Sequence, residues 1–254
     1  MKDNLPAGYV RLTAGRCTVI AREAHEEDAR ALLVEGTLYE AAARDLAARP
    51  LAGRGVAYAI TLPISGRRAV VRHNRHGGLF ARVTRDLFFP PTRAPYELEV
   101  ALRLIAAKVR TPAVLMYGVE SRAAFFRRSD VVTNEVPDAR DLGDFMMPEV
   151  APAERAAAWE ATRVLVRSLN AVGARHHDLN VKNILLSPRR SGGGFDAWVL
   201  DVDRVTFAPP EAASVRVGNA QRLIRSATKW RDERGAVLDD REVQRLGTLV
   251  ASNR

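Results

Sequence analysis

The sequence predicts an α+β fold with two lobes. Extended segments with a few helical stretches fill the chain up to residue 137, whereas helical patterns dominate from residue 152 onward. Between them, at 176–183, the polar loop HHDLNVKN lies directly before an apolar strand pattern. A sheet-rich half, a helix-rich half and a polar loop at their junction predict a first lobe at 1–137 and a second at 138–254, around a cleft.

The first lobe is expected to consist mainly of antiparallel strands. Alternating apolar residues and turn signals predict a hairpin around Gly15, a second hairpin and two further strands. These segments are 9–22, 53–72, 113–121 and 129–137.

Helices are predicted in both lobes. The segment 26–48 is rich in Ala, Glu, Leu and Arg, and indicates one or two helices broken near Gly36. A helix at 95–108 is expected to bury Leu98, Ala101, Leu102 and Ile105. The strongest pattern is 152–173, which begins at Pro152, ends at Gly173 and places Trp159, Val166 and Leu169 on one face. From Glu211 the chain is expected to be mostly helical, with a basic face.

Composition and net charge limit the class of protein and the kind of partner it can bind. Hydrophobic residues make up 47% of the chain, which is typical of a globular protein. Cys17 is the single cysteine, so an intramolecular disulfide and a cysteine-based zinc site are excluded. The sequence shows no signal peptide and no apolar run of the roughly 18–20 residues that a membrane helix needs. A net charge of +9 predicts anionic partners. Nucleic acid, anionic lipid and phosphorylated small molecules all fit this charge, and charge alone does not distinguish them.

The polar loop carries the most specific chemistry. Asp178 and Asn183 are five residues apart on a loop that feeds a strand, and Asp201 ends the next strand. Asn183 and Asp201 offer the oxygen ligands that Mg²⁺ prefers, and Asp178 is then available to orient a hydroxyl and accept its proton. This order and spacing is typical of phosphoryl transfer in the protein-kinase fold. Asp203 is a further candidate metal ligand.

A protein-kinase-like fold also requires a basic residue upstream that contacts the nucleotide phosphates. Arg72 lies where that fold has a strand lysine, and Glu97 is the predicted partner acid on the next helix, with Glu99 as second choice.

Two segments are candidates for holding the rest of the nucleotide. Gly53 and Gly55 form the candidate phosphate-covering loop, although two glycines are also simply typical of a turn. The segment 133–137, which includes Glu135, resembles the hinge that holds adenine through backbone hydrogen bonds.

The chain further resembles the lipopolysaccharide-core sugar kinases. The matching stretches follow the order of that family over roughly residues 50 to 230: GRGVAY, VVRHNRHGGL, YELEVALRL, DVVTNEVPDARDL, HHDLNVKNILL, LDVDR and NAQRLIRSATK. Arg followed by His, as at Arg72, is usual in that family. Asn74 replaces a tyrosine that is common there, a departure that bears on the loop before Gly77.

The resemblance implies an ATP-dependent, magnesium-dependent kinase that phosphorylates a hydroxyl of 3-deoxy-D-manno-octulosonic acid (Kdo) on a lipid A precursor. It implies a peripheral protein at the cytoplasmic face of the bacterial inner membrane, with an anionic glycolipid and an anionic membrane surface as partners and no nucleic acid. The basic residues expected to face that membrane are Arg67, Arg68, Arg72, His73, Arg75, His76, Arg82 and Arg85.

Three alternatives remain open at this point. A heptose kinase of the lipopolysaccharide core would share the residues that contact ATP and differ in the acceptor pocket. A small-molecule phosphotransferase of the aminoglycoside or choline type would share the loop without a basic membrane face. A pseudokinase that only binds is the non-enzyme alternative, and it is disfavoured because Asp178 and Asp201 are both present.

Overall fold

The computed structural model describes residues 5–34, 36–51, 56–74, 92–122 and 126–250. Within them the chain forms two compact units. The first comprises residues 1–101 and 113–135, and the second comprises 102–112 and 136–254. Residues 102–112, which the sequence had placed in the first lobe, group with the second unit.

The first unit is built on a seven-stranded antiparallel sheet. Its strands, in chain order, are β1 (Tyr9–Ala14), β2 (Cys17–Arg22), β3 (Arg49–Leu51), β4 (Ala57–Thr61), β5 (Arg68–His73), β6 (Val114–Arg122) and β7 (Phe126–Asn134). Their order across the sheet is β1-β2-β6-β7-β5-β4-β3. The predicted hairpin around Gly15 is confirmed by pairing of Ala14 with Cys17.

Helices in the first unit bury apolar residues of the sheet. Helix α1 (Glu26–Val34) and helix α2 (Leu38–Arg44) confirm the predicted helical segment and show that it forms two helices. Helix α2 begins with a capping box between Thr37 and Glu40, which satisfies two backbone N–H groups that no helical bond reaches. The shared core contains Val19, Leu38, Ile60, Val71 and Met116.

Helix α3 (Ala94–Ala106) begins in the first unit, and its last residues group with the second. Its buried face contains Leu98, Ala101 and Leu104, whereas Ile105 is 37% exposed. The predicted stripe was therefore wrong at its C-terminal end. The 3.6-residue period that continues from Leu98 and Ala101 selects Leu104 as readily as Ile105, and only packing decides between them.

In the part of the chain that the structure describes, the second unit combines short strands with the end of helix α3 and four further α-helices. The strands are β8 (Arg140–Asp141), β9 (Ala174–His176), β10 (Ile184–Pro188), β11 (Phe195–Val199) and β12 (Val205–Phe207). They form a three-stranded sheet in the order β11-β10-β8 and a two-stranded ladder of β12 with β9. The helices are α4 (Leu142–Phe145), α5 (Pro152–Ala171), α6 (Ala213–Arg234) and α7 (Asp240–Gly247).

The turn after helix α5 leads the chain into the polar loop. Trp159, Val166 and Leu169 are almost completely buried, as predicted. Gly173 follows the helix with φ +69°, a left-handed conformation that glycine adopts without steric cost. Because strand β9 starts at the next residue, Gly173 directs the chain from the helix into the loop.

Candidate active site

The polar loop is held by hydrogen bonds of its own asparagines. The Asn180 side chain caps the short helix Val181–Asn183 by accepting hydrogen bonds from the N–H groups of Lys182 (2.9 Å) and Asn183 (3.2 Å). The Nδ2 atoms of Asn180 and Asn183 both donate to the carbonyl oxygen of Asp178, at 3.0 and 2.9 Å. These bonds fix the backbone of Asp178 relative to Asn183.

The carboxylate of Asp178 faces a cation. Its Oδ1 atom lies 3.4 Å from Nη2 of Arg222, and both side chains remain partly exposed. A partly exposed carboxylate on a rigid backbone can be reached by an acceptor hydroxyl, as a general base requires.

His176 connects the Asp178 loop to the chain before Asp201. Its ring is fully buried, its Nδ1 atom accepts a hydrogen bond from the N–H of Asp178 (3.1 Å), and its Nε2 atom donates to the carbonyl oxygen of Leu200 (2.8 Å). Burial lowers the pKa of His176 below its ordinary value of 6.5, against the opposing effect of the Leu200 carbonyl and nearby carboxylates. The ring is therefore neutral at pH 7, as an acceptor at Nδ1 must be.

Asn183 and Asp201 are brought together by the hairpin of strands β10 and β11. Ile184 pairs with Val199, and the N–H of Leu200 donates to the carbonyl oxygen of Asn183 at 2.9 Å. Asp201 follows directly, with φ +52° and ψ +46°. A left-handed aspartate is unusual and mildly strained, and such strain is concentrated at functional sites.

The oxygen atoms at this hairpin fit a magnesium ion. The Nδ2 donation from Asn183 to Asp178 leaves Oδ1 of Asn183 as its remaining polar atom, and Asp201 is exposed. In the part of the chain that the structure describes, no hydrogen-bond donor reaches either Oδ1 of Asn183 or the carboxylate of Asp201. Among the described residues, no group of three or more His, Cys, Asp or Glu side chains is arranged to hold a metal ion. One amide and one carboxylate suit Mg²⁺, which in phosphoryl-transfer sites takes its other ligands from phosphates and water.

Helix α6 supports the loop through residues that the sequence analysis did not identify. Oδ1 of the buried Asn219 accepts a hydrogen bond from the N–H of His176 at 2.9 Å, while its Nδ2 atom donates to Ala174 and Asn170. Ser226 accepts from the N–H of Val181 at 3.2 Å. Asn219 and Ser226 lie in NAQRLIRSATK, which the resemblance had marked, but their contacts span more than 40 residues and leave no local pattern.

In the first unit, Arg72 is held by Glu97 as the sequence predicted. Nη2 of Arg72 pairs with Oε1 of Glu97, whose side chain is only 4% exposed, while Glu99 is exposed on the same helix. Nη1 of Arg72 donates to Oδ1 of Asn74 at 2.8 Å. Asn74 is itself fixed by Ser129, through its N–H and its Nδ2 atom. The role of Arg72 and Glu97 toward a nucleotide stays a prediction.

The remaining nucleotide-binding candidates are Glu135 in the predicted hinge and the glycines of the predicted phosphate-covering loop. The N–H of Glu135 donates to the carbonyl of Arg68 (3.2 Å), and its carboxylate pairs with Arg49 and Arg68 at 2.8 and 2.7 Å. That N–H is therefore already used within the first unit, and adenine binding by the 133–137 segment stays a prediction. Gly53 and Gly55 lie outside the described residues.

The predicted basic face does not form a single surface. Arg72 contacts Glu97 of helix α3, whereas the Nδ1 atom of its neighbour His73 lies 2.5 Å from Asp130 on strand β7. Neighbouring residues of a strand point to opposite faces, so these two side chains cannot face one membrane together. The remaining candidates Arg75, His76, Arg82 and Arg85 lie outside the described residues. None of the helices that the structure describes is long and apolar enough to span a bilayer.

The fold belongs to the protein-kinase-like class. A solved structure of WaaP in complex with acyl carrier protein superposes with a TM-score of 0.57 at 21% identity, covering 89% of this chain and 86% of that one. The Rio2 kinase of Chaetomium thermophilum, solved with ADP/Mg²⁺ and phosphoaspartate, gives 0.50 at 13% identity, covering 96% of this chain and 76% of that one.

Sequence comparison assigns the chain to one family within this class. The model of the lipopolysaccharide kinase (Kdo/WaaP) family matches residues 46–247. A 3-deoxy-D-manno-octulosonic acid kinase of Xanthomonas oryzae pv. oryzae is 32% identical over 205 residues, which is 78% of this chain and 77% of the relative. That of Stenotrophomonas maltophilia is 32% identical with the same coverage, and that of Vibrio vulnificus is 28% identical over 77% of this chain and 79% of the relative. The chain belongs to the lipopolysaccharide kinase (Kdo/WaaP) family and is an ATP-dependent sugar kinase.

Proposed function

We propose that this chain transfers the γ-phosphoryl group of ATP to a hydroxyl of Kdo on a lipid A precursor, during synthesis of the lipopolysaccharide core. The observation that carries the proposal is the arrangement at 176–201. There Asp178 is positioned by His176, and the oxygens of Asn183 and Asp201 are open toward a ligand. Family membership and the Kdo kinase relatives support the choice of acceptor.

Asp178 performs the proton transfer in this reaction. The acceptor oxygen forms a bond to phosphorus, the bond from phosphorus to the bridging oxygen of ADP breaks, and the hydroxyl proton passes to the Asp178 carboxylate. His176 and the two asparagines keep that carboxylate in place throughout, because they hold the backbone rather than the reacting oxygen atoms.

Each unit contains residues that are proposed to bind the nucleotide. Asn183 and Asp201 would hold Mg²⁺, which supplies positive charge against the phosphate oxygens when bound. Arg72 contributes a planar, permanently charged guanidinium toward the phosphates. Glu97 and Asn74 hold that guanidinium from two sides, so its direction is fixed before the nucleotide arrives.

We further propose that the protein acts at the cytoplasmic face of the inner membrane. The acceptor is an anionic lipid in an anionic bilayer, and the chain carries a net charge of +9. Each basic residue near such a surface contributes about 1 kcal/mol to binding. Co-sedimentation with vesicles that contain anionic lipid, compared with neutral vesicles, tests this part of the proposal.

The proposed function is tested by phosphoryl transfer from ATP to a Kdo-bearing lipid A precursor in the presence of Mg²⁺. We expect phosphate on the Kdo sugar with the wild type, and a loss of about 10²–10⁴-fold in turnover with Asp178→Asn. Asp196→Asn is the matched control, because Asp196 is also a partly exposed aspartate of the second unit, paired with Arg110 and Arg189.

The other outcomes separate the alternatives. Transfer to a heptose-bearing core lipid but not to Kdo would move the acceptor to heptose. Phosphoryl transfer to aminoglycosides or choline, but to neither lipid, would show that the acceptor is a small molecule. ATP binding without transfer to any of these would favour a pseudokinase.

A further inference from the structure

Positive charge collects beside Asp178 in excess of what the loop itself requires. Arg222 reaches Oδ1 of Asp178, and the exposed Arg175 has no carboxylate at ion-pair distance anywhere in the described ranges. One guanidinium group is therefore paired with the loop carboxylate, and Arg175 is not. An exposed cation that the loop does not use is available to a ligand.

The ladder of strands β9 and β12 presents one side of this group. Arg175 and Thr206 are cross-strand partners in that ladder, and both are exposed. The Nε2 atom of His177 lies 2.8 Å from Oγ1 of Thr206, which turns the ring toward the same side. Arg175, His177 and Thr206 thus share one solvent-facing surface next to Asp178.

Helix α6 presents the other side. A Cβ atom at Gly218 would lie 2.8 Å from Nε of Arg175, so the guanidinium of Arg175 lies across that glycine. Gly218 and Arg222 are four residues apart, which places them on the same helix face about 6 Å apart. The two guanidinium groups are therefore neighbours, and Gly218 provides the space for one of them.

The imidazole ring of His177 lies within the electrostatic influence of both Arg175 and Arg222. Burial, followed by the positive charges of Arg175 and Arg222, lowers the pKa of His177 below its ordinary value. Both guanidinium groups are thus close enough to act on the same imidazole, in agreement with the geometry of Gly218.

We propose that Arg175, Arg222 and His177 form the site for an oxyanion group of the acceptor, a carboxylate or a phosphate, and so present the acceptor hydroxyl to Asp178. This inference rests on the proposed function. Guanidinium groups bind such oxyanions through paired N–H donors in one plane, which fixes orientation as well as position. In the proposed acceptor two sources offer this chemistry, the carboxylate of Kdo and the phosphates of the lipid A part.

The test measures acceptor kinetics with Arg175→Gln and Gly218→Ala. The first variant removes one cation, and the second keeps every charge but displaces the Arg175 guanidinium, while alanine favours the helix. We expect the KM for the acceptor to rise about 10-fold to 100-fold in Arg175→Gln and less in Gly218→Ala, with the KM for ATP unchanged. Arg231→Gln is the control: Arg231 lies on the same helix about 14 Å further along, and among the described residues its ion pair is with Asp232, so its kinetics should match the wild type.

Acceptor variants identify the source of the oxyanion. The Kdo-bearing lipid A precursor is compared with its Kdo methyl ester and with the same lipid without its phosphates. The acceptor that lacks the true source should already have a raised KM with the wild type, and Arg175→Gln should add little to it. Wild-type KM values in both site variants, or a loss confined to kcat, would overturn the inference.

A binding measurement keeps the inference separate from the proposed function. If the wild type transfers phosphate to none of these acceptors, the proposed function fails. Titration of free Kdo and of inorganic phosphate, followed by the NMR signals of the His177 ring, still tests the site. A shift in the wild type that is absent in Arg175→Gln supports an oxyanion site, and no shift with either probe rejects it.

Discussion

The Nε2 atom of His176 donates a hydrogen bond to the carbonyl oxygen of Leu200 at 2.8 Å. Because the other ring nitrogen accepts from the N–H of Asp178, one imidazole connects the candidate base to the residue before the candidate metal ligand Asp201. The arrangement needs the neutral ring. Protonation would turn the acceptor nitrogen into a donor that faces another donor.

This requirement predicts a pH dependence of stability. The pKa of His176 is lowered in the folded state, so below about pH 6.5 the unfolded chain binds a proton that the folded chain does not. The free energy of unfolding should fall as the pH drops from 6.5 toward the folded-state pKa, and be unaffected by this residue above 6.5. Urea unfolding between pH 5 and 8 measures it. In His176→Gln the same curve should be flatter, and an equally steep curve would assign the dependence to other groups.

The pair of Arg72 with Glu97 predicts different effects for two glutamates of one helix. Glu97→Gln removes the charge that holds the guanidinium, and we expect a loss of about 1–3 kcal/mol in the free energy of unfolding and at least about tenfold in kcat/KM for ATP. Glu99→Gln changes an exposed residue and should stay within about 0.5 kcal/mol of the wild type. Thermal unfolding and steady-state kinetics are the measurements. Equal effects of both variants would mean that the pair has no special role.

Gly173 and Gly235 both have a left-handed backbone conformation, but their replacement by alanine is predicted to destabilise the protein to different extents. Alanine in this conformation costs about 1–2 kcal/mol, which is the expected loss for Gly235→Ala, where a Cβ atom would meet nothing within 4 Å. At Gly173 the Cβ atom would also lie 2.0 Å from the carbonyl oxygen of Ala208. Gly173→Ala should therefore cost about 3 kcal/mol or more, measured by chemical unfolding. Similar losses in the two variants would show that the chain relieves the clash by moving.

Cys17 is predicted to be unreactive in the folded protein. Burial, with further contributions from Asp130, Glu120 and Glu40, raises the pKa of its thiol to about 12, and the residue is 6% exposed. A thiol-specific reagent at pH 8 should therefore label native protein only slowly, and label urea-unfolded protein at once. Rapid labelling of the native protein would mean that strand β2 opens readily.

Sequence alone predicted the parts of the molecule that depend on local pattern. Spacing within a few residues predicts the loop residues Asp178 and Asn183, the Gly173 turn and the helix at 152–173, which in the structure ends at Ala171. The Arg72–Glu97 pair was also predicted, because the protein-kinase fold pairs these two positions and Glu97 has Val100 and Ala101 at the spacing of a buried helix face.

Features that depend on packing between distant segments were not predictable. Strands β3, β8, β9 and β12 have two or three residues each, too few for a period of two to be seen. Asn219, Arg222 and Ser226 look like polar positions on a basic helix, and only the folded chain shows that they bind the loop. The same holds for the bond of the His176 ring to Leu200, which joins residues 24 positions apart.

The bond between His176 and Asn219 joins residues 43 positions apart. During translation the loop 176–183 is therefore made well before the helix that completes it. Until helix α6 has left the ribosome, the backbone of the loop lacks its acceptor at Asn219, and Asp178 lacks Arg222. The nascent chain should thus remain without phosphotransferase activity until helix α6 has been made and has folded against the loop.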